Sequence, residues 1–318
     1  MIGMNRASNC SALFLALLLS AASNAQNGAY RPDPDWANLP NGMQWGQVVA
    51  IDVDAEGNIF ALHRCGADTC VGQRQPPLLK FDPTGRLLQT WGADQLVWPH
   101  GLHIDHDGFI WVSDAREADG RGHQVFKLSP AGDILLTLGE AGVAGDGERT
   151  LNGPTDIAVA RNGDIFVADG HGNNRIVKYS PAGEFLLAWG QLGAAPGEFN
   201  VPHAIAVDSR DRVYVGDRDN GRIQVFDQNG RFVESWTQFG TPSGMYIARG
   251  DMLWVAHAAG VRAGSTRDGA ITVDVGYEAL LAEKGNVEDV AADAAGNIYA
   301  GLAGPLTLTK LSRTNSRP

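Results

Sequence analysis

From about residue 46 to residue 311 the chain is a succession of short apolar runs of four to seven residues, cut apart by polar turn residues. The clearest stretch reads Gly153-Pro154-Thr155-Asp156-Ile157-Ala158-Val159, then Asn162-Gly163 and Asp164-Ile165-Phe166-Val167-Ala168-Asp169, then Arg175-Ile176-Val177-Lys178-Tyr179, then Ala182-Gly183 and Glu184-Phe185-Leu186. Alternation or β-branched character with Asn-Gly and Ala-Gly punctuation is the pattern of strands joined by tight turns. No helical period of any length competes. The four-strand unit recurs. Taking the aromatic of each second strand as the anchor gives Phe60, Trp111, Phe166, Tyr214, Trp254 and Tyr299, spaced 40 to 55 residues apart. Six units at that spacing predict an all-β, six-bladed β-propeller of four-stranded antiparallel blades. The last unit has three strands, Val287–Ala292, Ile298–Gly301 and Leu306–Leu311, so a stretch near Met43–Val48 is expected to complete it and close the ring.

The repeat also says which side chains meet. In a propeller the first strand of each blade lines the axial channel, and equivalent positions form rings. One ring is Val49, His100, Thr155, His203, Ser243 and Glu288. Alternate blades carry His, His and Glu, about 120° apart and aimed at the axis. Two imidazoles and a carboxylate suit zinc or another divalent transition metal with open positions. A second ring, at the ends of the second strands, returns to the same face and holds Arg64, His171, Arg218 and His257. Arginines there would grip a carboxylate and a histidine would supply a base. Asp169 with Arg175 and Asp217 with Arg222 read instead as loop-bracing ion pairs. His103, His106 and His123 have no ring partners and are expected to face solvent.

Composition narrows the partners. Glycine makes up 40 of the 318 residues, which follows from the many turns, and the net charge is −11. No basic patch is present, which argues against nucleic acid and anionic membrane surfaces. Arg6, the apolar run Ala12–Ala22 and the small residues Ser23-Asn24-Ala25 read as a secretory signal peptide too short to be a membrane span. The expected organisation is a signal peptide at 1–25, an N-terminal extension at 26–42, the propeller at 43–312 and a tail at 313–318. The protein is then exported, periplasmic or secreted, and monomeric. In that setting Cys65 and Cys70 read as a small-loop disulfide. EF-hand, Walker, dinucleotide and G-x-S-x-G signatures are missing from the sequence.

Several segments carry a family resemblance: Trp98-Pro99-His100-Gly101-Leu102, Gln124-Val125-Phe126-Lys127-Leu128, Pro154-Thr155-Asp156, Asn174-Arg175-Ile176-Val177, Val201-Pro202-His203 and Asp217-Arg218-Asp219-Asn220-Gly221-Arg222-Ile223-Gln224. Together they resemble the peptidyl-α-hydroxyglycine α-amidating lyases, which are NHL-repeat propellers. The resemblance implies zinc on His100 and His203, with Glu288 where the family has a third histidine. It implies structural calcium on Asp289 and the carbonyls of Ile51 and Leu102, and substrate-binding arginines at Arg64 and Arg218. The family's catalytic tyrosine falls on His171, which would serve as the base or add a metal ligand. Asn152, Gly172, Tyr214 and Val225 stand where family disulfide cysteines would be. The activity implied is a carbon–nitrogen lyase that splits an α-hydroxyglycine (carbinolamide) substrate into an amide and glyoxylate. Two other readings stay open: a non-catalytic NHL propeller that binds a peptide or glycan, and a related metal-dependent hydrolase or lactonase of small carboxylates.

Overall fold

The computed structural model describes residues 29–280, 287–304 and 306–314. The expected signal peptide at 1–25 lies outside the described residues, as do the last four positions of the expected tail. Six four-stranded antiparallel sheets follow one another around a central axis. Their innermost strands are Val48–Val53, Pro99–Ile104, Pro154–Val159, Pro202–Val207, Pro242–Ala248 and Val287–Ala292, which begin blades 1 to 6 in that order. The six-bladed propeller expected from the repeat is the fold of this chain.

All six aromatic anchors lie in second strands and are buried between blades. Trp111 of blade 2 packs with Ile157, Ile165 and Val167 of blade 3, and Tyr214 of blade 4 with Met245, Leu253 and Val255 of blade 5. Each such burial stabilises the ring by roughly 1.5–3 kcal/mol. Three of the four anchors with a polar end share one solution. Trp111 Nε1 donates to Asp105 (2.9 Å), Tyr214 Oη to Asp208 (3.1 Å) and Tyr299 Oη to Asp293 (3.1 Å), each acceptor standing six residues earlier in the turn between strands one and two. A buried indole or phenol would otherwise leave an unpaired donor.

Ring closure differs from the expectation. The fourth strand of blade 6 is Tyr30–Asp33, paired antiparallel with Thr307–Arg313, and it comes from the segment read as an extension. Met43–Val48 cannot serve, because its polar groups are spent inside blade 1. Gln44 N–H donates to the Gln75 side chain, Gly46 N–H to His63, and Gln47 N–H to the Ala67 carbonyl, while the Gln47 carbonyl accepts from Arg64 N–H. Among the described residues no helix is long and apolar enough to cross a membrane.

Candidate metal centre

Every innermost strand is irregular at its second residue. The register between first and second strands shifts between Val48 and Ala50, Pro99 and Leu102, Pro154 and Asp156, Pro202 and Ala204, Pro242 and Gly244, and Val287 and Asp289. The residues left without a cross-strand partner include Val49, His100, Thr155, His203, Ser243 and Glu288, the ring read from the repeat. A bulge re-aims one side chain and frees one carbonyl, and both effects are used. His100 Nδ1–H donates to the Thr155 carbonyl at 2.8 Å, and His203 Nδ1–H to the Ser243 carbonyl at 2.6 Å, each reaching the bulge of the next blade. A carbonyl can only accept, so these bonds place the hydrogen on Nδ1 and leave Nε2 with its lone pair. Metal-binding histidines are oriented in this way.

The Nε2 atoms converge. One ligand atom each from His100, His171 and His203 lies within 4.8 Å of the others, with His171 Nε2 2.9 Å from His100 Nε2. His203 Nε2 is buried and has no hydrogen-bond partner among the described residues. Glu288 Oε1 stands 3.7 Å from His203 Nε2 and 3.9 Å from His100 Nε2. These four groups come from blades 2, 3, 4 and 6. Burial pushes His100 well below the usual imidazole value, His203 to about 3 and His171 to about 3, helped by neighbouring imidazoles and arginines. Burial raises Glu288, against the pull of Arg64 and Arg218. An orphaned buried Nε2, two preset tautomers and neutral imidazoles together form a donor set that fits a divalent transition metal.

Arg64 and Arg218 reach the same mouth. Arg64 is buried; its Nε donates to the Pro99 carbonyl (3.3 Å) and its Nη1 to Asp68 (3.0 Å) and to Gln47, and its guanidinium lies 3.4 Å over the Trp98 ring. Burial lowers Arg64 to about 10, opposed by Glu288 and Asp68. Arg218 is partly exposed and paired with Asp219 at 2.9 Å. The loop carrying Arg64 is closed by the Cys65–Cys70 disulfide. Both bracing pairs are present, Asp169–Arg175 at 2.9 Å and Asp217–Arg222 at 2.7 Å.

Other expected positions fare unevenly. Asp289 Oδ2 accepts from Ile51 N–H at 2.7 Å, which sets Asp289 against the blade 1 strand. Burial, Asp156 and Asp52 drive Asp289 well above the carboxylate range, a crowding that a bound calcium would relieve. Leu102 is buried alongside on the blade 2 strand. His257 is buried and held low by burial and Arg262, apart from the histidine cluster. His103 is half-buried: its Nδ1 sits 3.3 Å from Asp52 Oδ2, and both line an open cavity of about 1050 Å³ in which none of the histidine cluster takes part. His123 is also engaged, accepting from Gly153 N–H at 3.1 Å, whereas His106 is exposed. Sequence reading missed Trp98, which contacts the His100 and His171 rings, and Arg116, whose guanidinium lies 3.7 Å over Trp98. The only sequence signal of Trp98 was proximity to His100, whereas Arg116 stands two residues past the second strand of blade 2, as His171 does in blade 3.

Comparison with known proteins agrees with the fold. The NHL repeat model matches residues 151–179 and 199–226. The chain is 36% identical over 221 residues to peptidyl-alpha-hydroxyglycine alpha-amidating lyase 1 of Drosophila melanogaster, covering 60% of this chain and 40% of that protein. It is 33% identical over 226 residues to NHL repeat-containing protein 3 of Homo sapiens, covering 68% of this chain and 62% of that one. A gluconolactonase structure from Xanthomonas campestris superposes with a TM-score of 0.63 at 17% identity, over 93% of this chain and 92% of that one. Asn152 and Gly172, like Tyr214 and Val225, are adjacent, so the positions where the resemblance would place paired cysteines lie next to each other.

Proposed function

We propose that this chain, an NHL-repeat propeller similar to amidating lyases, is an exported metal-dependent lyase that converts an N-acyl α-hydroxyglycine into an amide and glyoxylate. One observation carries the reading: three imidazole Nε2 atoms and a carboxylate converge on the axis beside two arginines. His100, His171 and His203 would hold the ion, since a His₃ set keeps a position open. A divalent transition metal there would acidify the substrate hydroxyl and polarise the bond it forms part of. Calcium on Asp289 and the carbonyls of Ile51 and Leu102 would brace the channel. The expected roles of His171 and Glu288 are exchanged in this reading, because Glu288 stands farther from both neighbouring Nε2 atoms than His171 stands from His100.

Arg64 and Arg218 grip the substrate carboxylate, with Arg64 preset by Asp68 and Gln47. Glu288 takes the hydroxyl proton at Oε1. The O–H electron pair becomes the new C=O bond of glyoxylate, and the C–N pair leaves on nitrogen, which takes up a proton to become the amide. Trp98, walled against His100 and His171, shields the cluster from water on that side. The leader-like segment at 1–25 would take the chain to an oxidising compartment, where the Cys65–Cys70 disulfide persists.

The test uses the purified full chain. Metal content is measured, an N-acyl α-hydroxyglycine is added, and glyoxylate and amide are quantified. Equal amounts of both, lost on chelation and restored by zinc, are expected. No glyoxylate from a chain carrying stoichiometric transition metal would exclude this substrate. A non-catalytic peptide- or glycan-binding propeller is the second reading, favoured by the similarity to a human protein named only for its repeat. A chain that holds calcium but never a transition metal would establish it.

A further inference from the structure

The loop between the second and third strands of blade 2 carries Arg116, an exposed residue with no ion-pair partner among the described residues. Its guanidinium is nevertheless held against an indole, 3.7 Å from the centre of Trp98, while that of Arg64 lies 3.4 Å from the same ring. Both distances are close to van der Waals contact, so two guanidiniums on one face would collide. They must therefore stack on opposite faces, each in cation–π contact, which puts the two charges roughly 7 Å apart. Two like charges are thus held close together, and Arg116 also acts on His171. The other two arginines of the mouth have their own carboxylates, Asp68 for Arg64 and Asp219 for Arg218. Arg116 has none among the described residues, and none of them accepts a hydrogen bond from its guanidinium.

The loop is built to present it. Ala118 and Arg121 exchange backbone bonds, Glu117 Oε1 accepts from Gly120 N–H (3.1 Å), Arg121 Nη1 donates to the Asp94 carbonyl (2.7 Å), and the Gly122 carbonyl accepts from Gly142 N–H (3.0 Å). Gly122, at φ +93°, lies so close to the Arg116 carbonyl that a Cβ would come within 1.8 Å of that oxygen. No larger residue would let the turn close on the Arg116 backbone.

We propose that Arg116 is a specificity-determining residue, which binds a second anionic group of the substrate on the outer face of Trp98, one residue away from the carboxylate held by Arg64 and Arg218. This rests on the reading of the site as one for peptide-derived carboxylates. The preferred substrates would carry an acidic side chain immediately before the terminal residue. The spacing agrees: with Cα atoms 3.8 Å apart, a terminal carboxylate and the carboxylate of the preceding side chain are separated by roughly 6–8 Å.

The experiment is calorimetric titration of the metal-loaded full chain with N-acetyl-Glu-Gly and N-acetyl-Gln-Gly, which differ in one charge at nearly equal shape. The native chain is expected to bind the Glu peptide about tenfold more tightly, less so as salt is raised. Arg116→Ala should bring the ratio below twofold and Arg116→Lys should keep part of it. Arg74→Ala, which removes an exposed charge elsewhere, should leave the ratio intact. Thermal melts check that each variant is folded. Equal affinities in the native chain, a preference that survives Arg116→Ala, or failure of both peptides to bind would overturn the proposal. Glyoxylate release, assayed separately, reports on the lyase reading. Glyoxylate without charge preference defeats this proposal alone, whereas charge preference without glyoxylate defeats the lyase reading alone.

Discussion

His63 is fully buried at the end of the second strand of blade 1, and both its ring nitrogens are committed. Gly46 N–H donates to Nδ1 at 3.0 Å, and Nε2–H donates to the Pro76 carbonyl at 3.1 Å. A second proton would have to go on Nδ1, where it would face a donor. Burial pushes this imidazole down to about 4, opposed only by the Pro76 bond. The unfolded chain has an ordinary histidine near 6.5. Above pH 6.5 neither state is protonated, so His63 adds no pH dependence. Below it the unfolded state binds a proton that the native state refuses, and stability falls until about pH 4, where both are protonated. At 1.36 kcal/mol per pH unit, the loss across that window is about 3 kcal/mol. The assay is urea unfolding of the native chain and of His63→Gln at pH 7.5, 6, 5 and 4. The native advantage over the variant should shrink by about 3 kcal/mol from pH 7.5 to 4. Contributions from the other histidines are common to both proteins and cancel. A difference that stays constant with pH would refute the reasoning.

Three further outcomes are expected. Glu288→Gln should keep its transition metal while kcat drops by about 10²- to 10⁴-fold, the usual worth of a positioned base, whereas His171→Ala should lose metal; elemental analysis beside turnover checks both, and the opposite pattern would make Glu288 the ligand. Gly101→Ala should destabilise the fold by ~1–3 kcal/mol and lower metal content, because the added Cβ would meet the Thr155 carbonyl oxygen at 2.5 Å and Asp156 Cα at 2.6 Å, displacing the strand that bears His100; denaturant melts and metal analysis measure it. Replacing Cys65 and Cys70 by serine should cost about 2 kcal/mol, the chain-entropy value for so short a loop, and weaken carboxylate binding by loosening Arg64.

The repeat determined much of this protein without any structure. A strand–turn period is written in consecutive residues, so the six blades, the buried aromatic anchors and the ring holding His100, His203 and Glu288 all follow from counting. The ring could be read because each of its members stands at the same place in its own unit, and the pairs Asp169–Arg175 and Asp217–Arg222 because their partners are six and five positions apart. Closure by Tyr30–Asp33 could not be read, since that strand meets Thr307–Arg313 from the far end of the chain and is decided by which segment still has free backbone groups. The bulges that turn the ring inward are properties of strand pairing within each blade, and the bonds that fix the histidine tautomers reach across to the next blade. The second ring placed His171 and Arg64 on the right face, but it did not say that His171 would stand closer to His100 than Glu288 does, or that Trp98 would lie between Arg64 and Arg116. Only the wrapping of six blades about one axis brings them together, because contact depends on distance across the channel, and separation along the chain says nothing about that distance.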